Sequence, residues 1–171
     1  MRLRFVLPLA CLALLALPAA PGRTAVPPLA WRAWDRGLDE AKSSGRHVLV
    51  DVYTDWCGWC RRMEADVYTR PEIRDYLARK FVLVKLNAEA TDAARYQGKL
   101  FTSQALAARF EVSDYPTTIF LKSGGDHLIS VPGYVPADRF LLVLRYIGDG
   151  YLDRGETFEA FLKANGADAP H

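Results

Sequence analysis

The fold is decided by residues 48–60, which read Val48-Leu49-Val50-Asp51-Val52-Tyr53-Thr54-Asp55-Trp56-Cys57-Gly58-Trp59-Cys60. The apolar first half predicts a buried β-strand over His47–Thr54, and the second half predicts a helix that begins near Cys57. Two thiols three residues apart, across one helical turn, can close a reversible disulfide. The unpaired backbone N–H groups at a helix start also favour the thiolate form of the first cysteine. The pattern therefore predicts a redox site.

The first 22 residues have the composition of a secretory signal peptide. Arg2 and Arg4 form a basic start, residues 5–16 are almost wholly apolar, and small residues and prolines follow. The run is shorter than the ~20 apolar residues that span a bilayer. Two alternatives stay open, an uncleaved anchor and lipid attachment at Cys11. We expect residues 1–22 to be removed, residues 23–30 to form a linker, and the protein to be periplasmic.

The charge of the chain argues against nucleic acid as a partner. The 171 residues are 50% apolar, which fits one domain, and carry 22 basic against 20 acidic side chains. Loss of Arg2 and Arg4 with the signal peptide leaves 20 of each and a net charge of zero. No stretch of the sequence forms a basic stripe, so we expect no nucleic-acid partner.

The cysteine spacing argues against a metal or cofactor. A four-cysteine zinc site needs a second pair, and c-type haem attachment needs histidine at position 61, where the chain has Arg61. His47, His127 and His171 lack the paired spacing of a two-cysteine, two-histidine zinc site. A disulfide that closes so short a loop adds little stability. A redox pair without metal or cofactor is the better prediction.

Strands and helices alternate along the rest of the chain, and a hairpin comes late. Apolar runs predict further strands, and helical spacing predicts the helices between them. The strands are Phe81–Leu86, Thr117–Lys122 and Leu128–Val131; the helices are Trp31–Ser44, one from Cys57 through Val67, one around Ile73–Leu77, one ending near Phe110, one from Pro136 to Gly148, and Glu156–Ala164. This order predicts an α/β fold with a mixed central sheet covered by helices on both faces.

Three motifs resemble those of the thioredoxin superfamily. Residues 49–60 look like its active-site strand and turn, with Trp59 where thioredoxin itself has proline; residues 85–87 resemble the next strand end, and residues 115–117 the cis-proline loop. Residues 56–87 are also similar to the C-terminal periplasmic domain of the transmembrane thiol:disulfide reductase and to small secreted thioredoxin-like proteins.

This resemblance covers residues 31–148. It implies a thioredoxin fold over residues 31–171, with a helical insertion near residues 88–112 and a helical extension from residue 149.

The resemblance also implies catalytic roles. Cys57 is the expected nucleophile, and Cys60 is the expected resolving thiol. Asp51, inside an apolar run where an ionised carboxylate is unfavourable unless paired, is the expected acid–base group for Cys60. Lys85 matches the family's lysine near this carboxylate. The alternatives are an outward-facing strand residue for Asp51 and a solvated strand end for Lys85.

The expected substrate surface surrounds Cys57. The resemblance implies a cis peptide bond before Pro116 and an extended loop, which includes Thr117, that pairs with a substrate segment. Trp56, Trp59 and Tyr115 would add an apolar surface. The implied function is reduction of disulfides in partner proteins, with a membrane-embedded thiol reductase as electron donor. The rivals are a disulfide oxidant or isomerase, and a non-catalytic partner-binding module.

Overall fold

The strand that contains Asp51 lies at the centre of the structure. The computed structural model describes residues 28–167. Along these residues the elements are β1 (Trp31–Arg32), α1 (Trp34–Ser44), β2 (His47–Tyr53), α2 (Gly58–Asp66), α3 (Pro71–Lys80), β3 (Phe81–Asn87), β4 (Ala93–Tyr96), β5 (Lys99–Thr102), α4 (Ser103–Arg109), β6 (Thr117–Leu121), β7 (His127–Pro132), α5 (Ala137–Gly148) and α6 (Phe158–Ala164). The predicted signal peptide and residues 23–27 of the predicted linker lie outside the described residues.

Five of the strands form one mixed sheet in the order β1-β3-β2-β6-β7. Strand β3 runs parallel to both β1 and β2, whereas β6 is antiparallel to β2 and β7 is antiparallel to β6. The register places Asp51 of β2 opposite Lys85 of β3 on one side and Thr118 of β6 on the other. The predicted mixed α/β sheet is confirmed.

Alternate residues of β2 supply two separate hydrophobic cores, one on each face of the sheet. Leu49 packs with apolar side chains of α2, α3, α5 and α6. Val48, Val50 and Val52 pack on the opposite face with residues of α1 and α4. The side chain of Asp51 shares the parity of Leu49 and therefore points towards the face covered by α2.

Helix α2 begins directly after the central strand. A turn over residues 54–57, closed by the Cys57 N–H donating to the Thr54 carbonyl at 3.2 Å, links β2 to the helix. The helix ends at Asp66, and Pro71 occupies the first turn of α3. Backbone N–H groups in the first turn of a helix have no partner within the helix, so the N–H that proline lacks is not needed there. The chain thus forms two separate helices here, one on each side of Arg70, as predicted.

The segment 88–112, predicted as a helical insertion, is only partly helical. It begins with the hairpin β4–β5 and ends with the seven-residue helix α4. The hairpin turn is made by Gln97 and Gly98, both with positive φ, the conformation that a tight two-residue hairpin turn requires. Each strand is only four residues long, too short for an alternation of apolar and polar residues to reveal it.

The predicted first helix begins three residues later than its spacing indicates. Trp31 and Arg32 pair with Leu83 and Val84 at the edge of β3 and form strand β1, so the helix starts at Trp34. At the other end of the chain, α6 follows the turns after Gly148 and buries Phe161 and Leu162 in the same core as α3 and α5. Between residues 28 and 167, no helix is long and apolar enough to cross a membrane.

Candidate active site

The two cysteines form a disulfide at the start of α2. Cys57 is the N-cap residue, and its Sγ accepts a hydrogen bond from the Cys60 N–H at 3.0 Å. The Cα atoms of the two residues are 5.3 Å apart. The sulfur of Cys57 thus lies where helix N–H groups are unpaired, an environment that stabilises negative charge on that sulfur after reduction.

Solvent reaches the disulfide from the Cys60 side. Cys57 is only 3% exposed, whereas Cys60 is partly exposed and lines a cleft of about 360 Å³. The Cys57 sulfur itself is turned towards the first turn of α2, where the Cys60 N–H donates to it.

Asp51 is a buried carboxylate beside the strand end that leads to the cysteines. It is 2% exposed, and its Oδ2 accepts a hydrogen bond from the Lys85 Nζ at 2.5 Å. Its Oδ1 has no hydrogen-bond partner among residues 28–167. Burial raises the pKa of the Asp51 carboxyl; the Lys85 ammonium opposes this rise, and the negative charge of Glu64 adds to it. The surroundings therefore make the Asp51 carboxyl easier to protonate than that of an ordinary aspartate.

Lys85 joins two carboxylates inside an aromatic cage. Its Nζ also donates to Glu64 Oε2 at 2.7 Å. The ammonium lies over the rings of Trp31, Tyr53 and Tyr68, at 4.8, 5.2 and 5.7 Å from their centroids. Burial lowers the pKa of Lys85, but Asp51 and Glu64 more than offset this effect, so the pKa lies above its usual value. Lys85 is therefore held as a cation.

Glu64 and the aromatic cage were not found by sequence reasoning. Glu64 lies four residues after Cys60, one turn further along α2, so helical spacing carried a signal for it. Both residues line the cleft next to Lys85. Tyr68 follows α2, and burial raises the pKa of its hydroxyl well above the usual value. Trp31 comes from β1, and nothing in its own sequence neighbourhood indicates contact with Lys85.

Two of the residues predicted to bind substrate are exposed tryptophans. Trp56 and Trp59 are 65% and 54% exposed. The Trp56 indole N–H donates to Glu89 Oε1 at 2.9 Å, and its ring meets the edge of Tyr115 at 5.9 Å between centroids. The ring of Trp59 packs against Tyr134, a residue that the sequence did not single out.

The loop before β6 carries the other three predicted residues. The Tyr115–Pro116 peptide bond is cis. Tyr115 is partly exposed, whereas Pro116 and Thr117 are buried. Thr117 donates its hydroxyl to the Asp114 carbonyl at 2.7 Å. The side chain of Thr117 therefore shapes the loop, and of these three residues only Tyr115 reaches the surface.

The described residues contain no arrangement suited to a metal ion. No group of three or more histidine, cysteine, aspartate or glutamate side chains converges within residues 28–167. The chemistry available at this site is that of a disulfide, one ammonium and two carboxylates.

Comparison with known proteins places the chain in a family. Residues 34–148 match the family model of the thioredoxin-like domain. The chain is 34% identical over 112 residues to the thiol:disulfide interchange protein DsbD of Ralstonia nicotianae, and the match covers 65% of this chain and 17% of that protein. The chain thus corresponds to less than a fifth of the length of this curated relative.

Solved structures agree on the fold. A thioredoxin from Thermus thermophilus superposes with a TM-score of 0.61 at 27% identity, covering 75% of this chain and 94% of that one. A thioredoxin-fold protein from Helicobacter pylori gives 0.63 at 24% identity, with 71% and 80% covered, and this likeness concerns the fold alone. The chain therefore belongs to the thioredoxin-like domain family, and its Cys57–Cys60 site is of the disulfide-oxidoreductase type.

Proposed function

We propose that this protein reduces disulfide bonds in partner proteins through the Cys57–Cys60 couple. The observation that carries the proposal is the disulfide at the start of α2, next to a cleft lined by Cys60, Lys85 and Glu64. A structural staple would gain little from a loop this short. A reactive pair needs a stabilised thiolate and a nearby proton acceptor, and this site offers groups suited to both.

The reaction proceeds in two exchanges. The Cys57 thiolate attacks one sulfur of the partner's disulfide, which forms a mixed disulfide and releases the partner's other sulfur as a thiolate that takes up a proton. Cys60 then loses its proton to the Asp51 carboxylate and attacks the Cys57 sulfur, which frees the second partner thiol. Two electrons pass from the dithiol to the partner, and the protein ends as the disulfide.

Asp51 and Lys85 act on the second exchange. A carboxylate with a raised pKa accepts a proton from a thiol more readily than an ordinary carboxylate does, because its pKa lies closer to that of the thiol. Lys85 holds the carboxylate in place once it is charged. The cleft beside Lys85 and Glu64 offers a route by which the proton reaches solvent.

The partner binds beside the loop that contains Pro116. Among the described residues, the backbone N–H and C=O of Tyr115 have no backbone hydrogen-bond partner. An extended partner segment can pair with this free edge as an added strand. The exposed rings of Trp56 and Trp59 then cover apolar side chains on either side of the partner's cysteine.

The electron donor and the location follow from the direction of the reaction. A protein that reduces disulfides in an oxidising compartment must have its own disulfide reduced again. We propose a periplasmic location after export, and a membrane-embedded thiol reductase as donor. The similarity to a thiol:disulfide interchange protein and the signal-like residues 1–22 support this assignment.

The reduction potential tests the direction. The negative charges of Asp51 and Glu64 disfavour a further negative charge on the cysteines, and no histidine lies between them. We expect a potential near thioredoxin's value of about −270 mV, measured by equilibration with glutathione buffers and read by tryptophan fluorescence. A value above about −180 mV would assign the protein as an oxidant or isomerase.

Two further assays test catalysis itself. The reduced protein should turn over insulin disulfides, and iodoacetamide should label Cys57 at least about tenfold faster than Cys60. A Cys60→Ser variant should accumulate mixed disulfides through Cys57, and a Cys57→Ser variant should form none. Absence of insulin turnover and of adducts would indicate a binding module instead.

A further inference from the structure

A second cleft, different from the one beside Lys85, opens on the Trp59 side of the disulfide. It has a volume of about 470 Å³ and is lined by Trp59, Asp114, Tyr115, Pro132, Gly133 and Tyr134. We refer to it as the aromatic cleft. The rings of Trp59 and Tyr134 are 5.5 Å apart between centroids. Three aromatic side chains and one carboxylate thus share one surface depression.

The aromatic cleft adjoins the reacting atoms through the chain itself. Trp59 lies between the two cysteines, and Tyr115 directly precedes Pro116. A partner whose disulfide reaches Cys57 therefore places the residues next to its own cysteine within reach of the aromatic cleft. The partner side chain that enters the aromatic cleft therefore influences which partners react.

The charge at the aromatic cleft is that of an unpaired carboxylate. Asp114 is exposed, accepts a hydrogen bond from the Ser113 hydroxyl at 3.0 Å, and forms no ion pair with any residue between 28 and 167. The Arg62 guanidinium lies 5.3 Å from the centroid of the Trp59 ring, so this ring already accepts a cation. Arg62 itself is paired with Asp66 at 3.2 Å.

We infer that the aromatic cleft binds a lysine or arginine side chain next to the disulfide of the partner, and that Asp114 determines this specificity. The inference rests on the proposed disulfide exchange. The rings accommodate the methylene stem and attract the cation through their faces, while Asp114 supplies the opposite charge. An acidic side chain would meet Asp114 as a like charge, and an aliphatic one would gain no electrostatic attraction.

Matched peptide disulfides test the specificity. Short peptides with blocked ends, each joined through its one cysteine to a neutral fluorescent thiol, carry lysine, arginine, leucine or glutamate beside that cysteine. The reduced full chain is mixed with each, and the second-order rate of fluorophore release is measured. We expect the lysine and arginine peptides to react about fivefold faster than the leucine peptide at low salt. The glutamate peptide should react most slowly, and 0.5 M NaCl should reduce the differences in rate between the peptides.

Two variants separate Asp114 from general surface charge. Asp114→Asn should bring the lysine-to-leucine rate ratio towards one, whereas Asp92→Asn, at an exposed carboxylate in the insertion, should preserve the wild-type ratio. Equal rates for lysine and glutamate peptides, or an unchanged ratio in Asp114→Asn, would overturn the inference and leave disulfide reduction standing. If the reduced protein reacted with none of the peptides, the proposed function would be overturned, and this inference with it.

Discussion

Asp51 is easier to protonate in the folded protein than an ordinary aspartate. Burial raises the pKa of this carboxyl, and the nearby ammonium of Lys85 does not cancel the effect. A carboxyl whose pKa is higher in the folded than in the unfolded chain binds its proton more tightly in the native state. Its contribution to stability is therefore full at low pH and is lost as the pH rises through the folded pKa. The protein keeps at its redox site a group that lowers stability at neutral pH.

Replacement of Asp51 tests this balance. Asp51→Asn removes the titration, so the stability of the variant relative to the wild type should increase as the pH is raised from about 4 to neutrality. Urea unfolding of the disulfide form at several pH values measures the difference. Asp39→Asn, at an exposed carboxylate of α1, serves as control. A difference that stays constant across this range would show that Asp51 titrates normally.

The same substitution should slow the second exchange. Asparagine cannot accept the Cys60 proton, and general-base catalysis contributes typically 10²–10⁴-fold to a rate, so we expect release of the reduced partner to slow by roughly 100-fold. Stopped-flow mixing of the reduced protein with a disulfide substrate separates this step from the first attack. An equal rate at every pH from about 6 to 9 would remove Asp51 from the mechanism.

Glu64 tunes Asp51 from the neighbouring helix. Its negative charge raises the pKa of Asp51 and of Lys85. Glu64→Gln should therefore lower the pKa of Asp51 and shift the pH dependence of partner release to lower pH, with a smaller loss of rate than Asp51→Asn. A pH–rate profile of the second exchange measures the shift. Glu159→Gln, an exposed carboxylate on α6, should leave the profile in place; a shift to higher pH in Glu64→Gln would contradict the assignment.

At the scale of elements, the position of Lys85 depends on how α1 packs against β3. Gly37 of α1 lies directly over Val84, the residue before Lys85. A Cβ atom at Gly37 would lie 2.2 Å from Val84 Cγ2, too close for any real contact. The absence of a side chain at Gly37 therefore permits the close approach of helix and strand.

Substitution of Gly37 sets this clash against helix propensity. Alanine in a helix interior is favoured over glycine by about 1 kcal/mol, but overpacking a core costs typically about 1–3 kcal/mol. We expect Gly37→Ala to lower the free energy of unfolding by about 1–2 kcal/mol. Gly124→Ala, where a Cβ atom meets nothing within 4 Å, should change it by less than about 0.5 kcal/mol. Chemical denaturation compares the two, and equal stabilities would refute the packing argument.

At the scale of the whole molecule, the C-terminal extension belongs to the core. Phe161 and Leu162 are fully buried against residues of α3 and α5, and the Tyr151 and Phe161 rings meet edge to face at 4.8 Å. Burial of one such side chain contributes about 1.5–3 kcal/mol. The segment after Gly148 thus stabilises the face of the sheet on which Asp51 and Lys85 lie.

Removal of residues 149–171 should lower stability by several kcal/mol. Loss of Phe161 and Leu162 alone corresponds to about 3–6 kcal/mol, so the shortened chain should melt far below the full chain or fail to fold. Phe161→Ala provides a graded version, with an expected loss of about 3–5 kcal/mol. Lys163→Ala, at an exposed position of the same helix, is the control. If the shortened chain melted at the same temperature as the full chain, the extension would not contribute to the stability of the core.

The sequence alone determined the redox pair, the order of most elements and the family. These features depend on local chemistry: apolar periodicity, a thiol pair at a helix start, and proline and glycine at element ends. The insertion hairpin was not predicted because each of its strands is only four residues long, too short for a clear alternating pattern. The first helix was extended too far because Trp31 pairs with β3, a strand about 50 residues away in the chain.

The tertiary structure decided the electrostatics of the site and the shape around it. Asp51 meets Lys85 because β2 and β3 are parallel and in register, and Lys85 gains Glu64 and three aromatic rings from other elements. The contact between Trp59 and Tyr134 likewise depends on packing between distant segments. The residue types in the sequence indicate which chemistry is available. Only the packing of the sheet and helices brings the ionisable side chains within a few ångströms of one another, where burial and charge determine their pKa values.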